Sequence, residues 1–329
     1  MVLVNCMTYN QSNYILDALN GFVMQKTNFP FVCLVMDDAS TDGEQEVIKG
    51  FLDKECAMES AEFSEIEEAN IVVVPHKTNP NCTMAVYFLK KNLYGTDKKT
   101  PLIAPWREKC KYEAICEGDD YWIDSLKLYK QVEYLETHLN ISLSCCRYQI
   151  WGNGVNRLAQ NSYFDQLYKG EDSFVFSRDD AYHGEWLTQP LTCVFRTDAN
   201  NSEFVHQFKH GRDVHMYYNI LSHGDGVCHA FVGGVYRMNE NGIFSGKTEI
   251  ERLKINYEVY SEFCSKTKDP YLEMRARDFC MELLKSHQWP IINSRISLEC
   301  YFVFLSTKTR MKVKSIIKKV MAQFKKRVW

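Results

Sequence analysis

The stretch "CEGDDYW", residues 116–122, crowds Glu117, Asp119 and Asp120 around one glycine, directly after the apolar run Tyr112 to Cys116. Carboxylates that close raise one another's pKa and cost stability unless positive charge lies between them, so the cluster predicts a bound cation. Two more polar corners follow apolar runs in the same way: Thr8-Tyr9-Asn10 after Val2 to Met7, and Asp37-Asp38 after Phe31 to Met36. In a parallel α/β sheet, ligands bind beyond the carboxyl ends of the strands where strand order reverses, which would gather all three corners in one crevice. No GxGxxG follows the first run and no GxxxxGK[ST] occurs anywhere, so neither a dinucleotide fingerprint nor a P-loop explains that crevice. A nucleotide held without a glycine-rich loop needs a metal to carry its phosphates, and aspartate oxygens suit Mg2+ or Mn2+. The nine histidines contain no HExxH motif, which argues against zinc chemistry.

Such corners must be positioned by alternating strands and helices. Val2 to Met7 reads as a strand, and Asn13 to Met24 as a helix with Tyr14, Ile15, Ala18, Leu19 and Phe22 on one face. Phe31 to Met36 is a continuous apolar run, the mark of a strand covered on both sides. Ser40 or Thr41 is then expected to cap a helix through Glu44, Val47, Ile48 and Phe51. Ile71 to Val74 and Tyr112 to Cys116 add two more strands. After the acidic cluster, Asp124 or Ser125 is expected to cap a helix burying Leu128, Val132, Leu135 and Leu139. The alternation implies an α/β fold with a mostly parallel, doubly wound sheet flanked by helices. Residues 75–111 carry a weak pattern, read in part as an inserted loop. From about Ser142, strands are expected to alternate with loops until Val232 to Tyr236; from about Thr248 the pattern turns helical and increasingly charged.

With 329 residues, 45% of them hydrophobic and 25% charged, the chain is long enough for a full core and is no disordered or small binding module. Net charge is -3, yet Lys308 to Trp329 holds nine Lys or Arg and no acid, giving an acidic body and a basic tail. Thirteen cysteines, an odd number without a CxxC pair, point to a reduced, cytoplasmic setting rather than a disulfide framework. The N-terminus shows no basic stretch ahead of a long apolar one, so no signal peptide is expected. The longest apolar run, Cys300 to Leu305, is too short to cross a bilayer.

At "MTYNQSNYILDAL", "VMDDASTDG" and "CEGDDYWIDSLKLYKQVEYLE" the chain resembles family 2 glycosyltransferases of GT-A fold, in the order and approximate spacing of that family. "LTCVFR", "GRDVHMYYNILSHG" and "GGVYRMNENGIFS" resemble the acceptor-side motifs of its capsule and surface-polysaccharide branch, so the resemblance spans about residues 2–246. It implies a Rossmann-like GT-A domain over 1–246 and a C-terminal helical extension over 247–329. The implied activity is a metal-dependent, inverting transfer of a sugar from a nucleotide diphosphate, a UDP-sugar, to a glycan or lipid-linked acceptor.

The resemblance also implies roles for single residues. Thr8, Tyr9 and Asp38 would contact the nucleoside, with Tyr9 near the base and Asp38 accepting from a ring N–H; Asn10 and Asp37 share those corners. Asp119 and Asp120 would hold Mn2+ or Mg2+ and, with Glu117, the sugar and diphosphate. Asp213 of "GRD" would take the acceptor proton. Tyr236 and Arg237 match a YR pair, the arginine suited to a diphosphate, while Asn239 stands where relatives often have His. Two other readings of the acidic cluster remain: a Mg2+-dependent nucleotidyltransferase or phosphohydrolase, and a non-catalytic nucleotide-sugar-binding scaffold. Trp122, Trp151 and Trp186 could stack on sugars, although packing is the commoner role of a lone Trp. No nucleic-acid partner is expected.

In the tail, Val313, Ile316, Ile317, Val320, Met321, Phe324 and Val328 recur at helical spacing, with lysines mostly on the other side. A basic amphipathic helix over 308–329 would lie on an anionic membrane surface, placing the protein peripherally on the inner face; docking on the protein's own acidic body is the alternative.

Overall fold

The computed structural model describes residues 1–159, 162–183, 188–209, 211–238, 246–286 and 295–305. β1 (Val2–Thr8) is followed by α1 (Ile15–Val23), which buries Ile15, Ala18, Leu19 and Phe22 as their spacing predicts. β2 (Phe31–Asp37) is buried at every position. α2 (Glu44–Glu55) begins after Gly43, whose φ of +92° is one that glycine adopts without a steric cost. The expected Ser40 or Thr41 cap is therefore absent: the chain turns at Gly43, and Asp42 Oδ1 accepts from the Glu44 N–H at 3.1 Å.

β3 (Glu62–Glu65) and β4 (Ala69–Pro75) precede a strand that the sequence pattern concealed, β5 (Cys82–Leu89). It runs parallel to β2 from Phe31↔Cys82 to Asp37↔Phe88, so the stretch read as an inserted loop supplies a buried strand of the central sheet. Its polar, Pro-containing flanks masked the apolar run. α3 (Thr100–Arg107) then leads into β6 (Tyr112–Ile115), β7 (Tyr121–Trp122) and α4 (Lys127–Thr137). Leu128, Val132 and Leu135 are buried, but Leu139 is 78% exposed because the helix ends at Thr137. Asp124 accepts from the Leu126 N–H ahead of α4, and no side chain caps the helix proper.

β8 (Ile141–Gly152) and β9 (Val155–Leu158) form a hairpin; α5 (Ser162–Tyr168), β10 (Ser173–Phe176), α6 (Arg178–His183), β11 (Val194–Arg196), α7 (Ser202–His206), α8 (Asp213–Leu221) and β12 (Asp225–Arg237) complete the sheet domain. Four short helices thus stand where strands and loops were expected.

The sheet order is β10-β12-β8-β11-β6-β1-β2-β5-β4-β3, with β7 on β12 and β9 on β8. β6, β1, β2 and β5 are parallel, as expected of a doubly wound sheet, and antiparallel strands flank them on both sides. The chain leaves β1 toward β2 and later returns on its other side as β6, so strand order reverses at β1. One face of the sheet packs Val4, Cys6, Phe22, Val35 and Trp122, and the other Leu3, Val32, Leu34, Met36 and Ile103. A fully buried Val, Leu, Ile, Phe or Met contributes about 1.5–3 kcal/mol, enough to fix the register that carries the polar corners. All thirteen cysteines are free and buried, acting as small apolar fillers.

The chain divides into two compact units, Met1–Glu240 and Asn241–Trp329. In the second, Thr248 and Glu251 form a capping box that starts α9 (Glu249–Thr267), and α10 (Pro270–Lys285) packs on it with Tyr260 and Phe279 ring centroids 5.5 Å apart. Residues 295–305 are also helical. No described helix is long and apolar enough to cross a membrane. The tail 308–329 lies outside the described residues, as do Trp186 and Asn239.

Candidate active site

Parallel pairing sets Thr8 beside Asp37, and β6 continues alongside β1 beyond its last paired residue: Cys116 N–H donates to Asn5 O and Gly118 N–H to Met7 O. The three polar corners therefore meet at one end of the sheet, at the strand-order switch. Gly118 is required by this approach. A Cβ there would lie 2.2 Å from Thr8 Oγ1 and 2.5 Å from Gln11 Oε1.

In the acidic loop one oxygen each of Glu117, Asp119 and Asp120 lies within 4.8 Å of the others. Asp120 is buried, Asp119 intermediate and Glu117 solvent-accessible. Asp120 Oδ1 accepts from the Arg237 N–H at 2.8 Å, and its second oxygen remains for a ligand. Desolvation, ahead of the charges of Asp119 and Asp213, raises the Glu117 pKa to about 7. Burial likewise raises Asp119 and Asp120, the latter pushed further by Asp119, while its bond from the Arg237 N–H draws it down. Converging hard oxygen donors with disfavoured charges suit Mg2+ or Mn2+.

Asp213 opens α8, half-buried, with Oδ1 accepting from the Val214 N–H at 3.0 Å. Burial raises its pKa, and its charge contributes to the raised pKa of Glu117. Tyr236 is raised by burial and then by the charges of Asp120, Asp119 and Glu117, and its ring meets Tyr148 edge-on with centroids 6.4 Å apart. Arg237 is clamped: Nη1 donates to Asp119 O at 3.0 Å, Nη2 pairs with Asp17, and the guanidinium stacks on Tyr121 and Tyr14 at 4.4 and 5.2 Å. Its buried Nε has no hydrogen-bond partner.

The corners after β1 and β2 are built differently. Asp38 is buried, with Oδ1 accepting from Leu93 N–H at 2.7 Å and Oδ2 paired with Lys99 Nζ at 2.6 Å. Asp37 is also buried and accepts from Gln45 Nε2 and the Ser40 N–H. Asn10, at φ +52°, accepts from Thr41 N–H and donates its own N–H to Ser40 Oγ, sewing the two corners together. Thr8 is buried and bonded to Gln11 and Glu44. Of these residues, Tyr9 alone turns its ring outward, 46% exposed.

Sequence reading passed over Lys99, Glu44 and Gln11, which hold the corners in place. Gln11 lay inside the quoted first signature, Glu44 opens α2 right after Asp42-Gly43, and Lys99 stands in the basic pair before Pro101; each signal is short and common. Trp122 is buried, its Nε1–H donating to Leu191 O and its ring edge-on to Phe22, so it packs rather than faces a ligand. His206 stands four residues before His210, which lies outside the described residues; its Nε2 is 3.2 Å from Thr100 Oγ1.

No family model matches the chain. Uncharacterized proteins of Mycobacterium tuberculosis and Mycobacterium bovis are 34% identical over 131 residues, 40% of this chain and 30% of theirs, so the match covers less than a third of those relatives' length. Among solved structures, S. aureus TarS 1-349 in complex with UDP-GlcNAc aligns with TM-score 0.52 at 14% identity, covering 86% of this chain and 72% of that one. S. aureus TarS aligns with TM-score 0.52 at 15% identity, over 91% of this chain and 47% of that one. With its parallel centre, antiparallel flanks and acidic loop at the strand-order switch, the chain has the GT-A glycosyltransferase fold.

Proposed function

We propose that the protein is a metal-dependent, inverting glycosyltransferase that moves a sugar from a UDP-sugar to a glycan or lipid-linked acceptor of a surface polysaccharide. The observation that carries this reading is the convergence of Glu117, Asp119 and Asp120 within 4.8 Å at the switch point, with Asp213 in electrostatic reach. Asp119 and Asp120 would hold Mn2+ or Mg2+, whose positive charge offsets that of the departing diphosphate. Tyr9 offers an open ring to the base. Asp38 keeps lone pairs free to accept a ring N–H, since a carboxylate has about four acceptor sites. Arg237, its guanidinium held beside Asp119, would lend positive charge to the diphosphate.

In the chemical step the acceptor oxygen bonds to the anomeric carbon as the bond from that carbon to the diphosphate oxygen breaks, its electron pair leaving with UDP. Asp213 takes the acceptor proton. Desolvation raises the Asp213 pKa and with it the carboxylate's basicity, and general-base assistance is worth about 10²–10⁴ in rate.

UDP release assayed across a panel of UDP-sugars, with Mn2+ and with EDTA, tests the reading. Release dependent on both sugar and metal supports it. Pyrophosphate release would favour the nucleotidyltransferase, and tight UDP binding without turnover the scaffold. The basic stretch 308–329 would hold the enzyme at an anionic membrane, where a lipid-linked acceptor sits. Equal sedimentation with anionic vesicles after truncation at Ser306 would remove that role.

A further inference from the structure

The ion pair between Asp38 and Lys99 has an open side. Lys99 Nζ donates one of its three hydrogens to Asp38 Oδ2 at 2.6 Å, while the Leu93 N–H donates to Asp38 Oδ1 at 2.7 Å. The Asn92 side-chain amide donates to the Asp38 carbonyl as well, so the segment from Asn92 to Lys99 is pinned to the end of β2. Lys99 is the more open half of the pair, its side chain 22% exposed against 5% for Asp38. The Asp38 N–H donates to Thr8 O, which sets the pair next to Tyr9 and its exposed ring. Lys99 also stands directly before α3, at the helix end where the backbone dipole disfavours a cation. Asp38 thus holds the ammonium in place against the field of its own helix.

We propose that Lys99 is a specificity-determining residue for the base of the donor nucleotide, its ammonium donating to the keto oxygen at C4 of uracil while Asp38 accepts from the adjacent N3–H. This rests on the nucleotide reading above, in which Asp38 faces the ring N–H. Uracil presents a keto oxygen beside N3–H, the complement of an ammonium beside a carboxylate. Cytosine, of the same size, carries a lone pair at N3 and an amino group at C4. Seated in the same way, it would turn the lone pair toward the carboxylate and the amino hydrogens toward the ammonium. It could satisfy the pair only by sliding one ring position, amino group to Asp38 and N3 to Lys99, which would draw its diphosphate away from the acidic loop. Because hydrogen bonds to ionised groups are about twice as strong as neutral ones, a charged pair sharpens both the match and the mismatch.

Calorimetry on the full chain with Mn2+ present, titrating UDP and CDP, tests the proposal. The wild type should prefer UDP by about 10- to 100-fold, within the range that a two-bond base contact commands. Lys99→Met should erode most of that preference by weakening UDP more than CDP. Since this change unpairs a buried acid, the second variant joins it to Asp38→Asn. A lone amide can turn to offer its oxygen to N3–H of uracil or its NH2 to N3 of cytosine, so that double variant should bind the two nucleotides about equally. Denaturant titration checks that each variant folds. Equal UDP and CDP affinity in the wild type, or an unchanged preference in a folded variant, overturns the proposal and leaves the transferase reading standing. An equal loss of both nucleotides in Lys99→Met also overturns it, reducing Lys99 to a countercharge. A wild type that binds neither nucleotide refutes the functional reading itself, and the base reading with it.

Discussion

Two acidic corners of the same sheet end have opposite characters. Asp37 and Asp38, after β2, are met by protein donors: Gln45 and Ser40 on Asp37 Oδ2, whose buried Oδ1 has no hydrogen-bond partner, and Leu93 and Lys99 on the two oxygens of Asp38. Glu117, Asp119 and Asp120, after β6, chiefly face one another, and burial raises all three. The difference separates acids met mainly by the protein's own donors from acids met mainly by one another. A carboxylate answered by an ammonium and a backbone N–H has its charge offset in place and keeps only acceptor capacity for a neutral donor, whereas a triad whose charges are mutually disfavoured gains most from an incoming cation.

The hardest test of that contrast is to remove a ligand from the unanswered corner. Asp119→Ala should abolish Mn2+-dependent UDP binding and cut turnover by about a thousandfold, since a unit-charge pair at about 4 Å and effective dielectric near 20 is worth around 4 kcal/mol. Unfolding temperature should hold or rise in EDTA, because one repelling charge is gone. Equal UDP affinity in EDTA and in Mn2+ for the wild type would end the metal assignment.

Chemistry and binding should also come apart. Asp213→Asn preserves shape and removes the base, so kcat should fall by about 10²–10⁴ with UDP affinity nearly unchanged. Full turnover by this variant would exclude Asp213 as the base.

At the answered corner, Lys99→Met should act on stability. It leaves buried Asp38 without its ammonium, and breaking a buried pair costs about 3 kcal/mol. Adding Asp38→Asn should recover part of the loss in denaturant titrations, whereas additive losses would mean that the pair is not coupled.

The smallest effect is a pH slope. The Glu117 pKa is raised from 4.5 to about 7 in the folded, metal-free protein, so the folded state binds more protons than the unfolded one between those values. Stability should therefore be highest below about pH 4.5 with respect to this group and be lost as pH climbs through 7. Because a cation must displace those protons, the gap in unfolding temperature between Mn2+ and EDTA should widen over the same range. A flat gap, or one unchanged in Glu117→Gln, would refute this origin.

Much of this was legible in the chain itself. The apolar runs Val2 to Met7 and Phe31 to Met36 announced buried parallel strands because a strand covered on both faces has no polar side to show. The acids of residues 117–120 stood out as a cluster because like charges in one turn need an explanation wherever they sit, and the fold brings an oxygen of each within 4.8 Å of the others. β5 stayed hidden behind polar flanks, and the helix caps were misplaced because Gly43 turns the chain, a matter of backbone dihedral that Ser40 and Thr41 do not disclose.

What composition and order alone determined, then, is which residues are acidic, which runs are apolar, and hence that acids stand at strand ends. Which acids are answered was decided by tertiary structure. Lys99 reaches Asp38 across 61 positions, Glu44 reaches Thr8 across 36, and the Arg237 N–H reaches Asp120 across 117. Contacts over such separations follow from strand order and crossover, which place β6 beside β1 and set the insert before α3 over β2. Side-chain type sets the charge at each position; the sheet's topology sets what that charge meets.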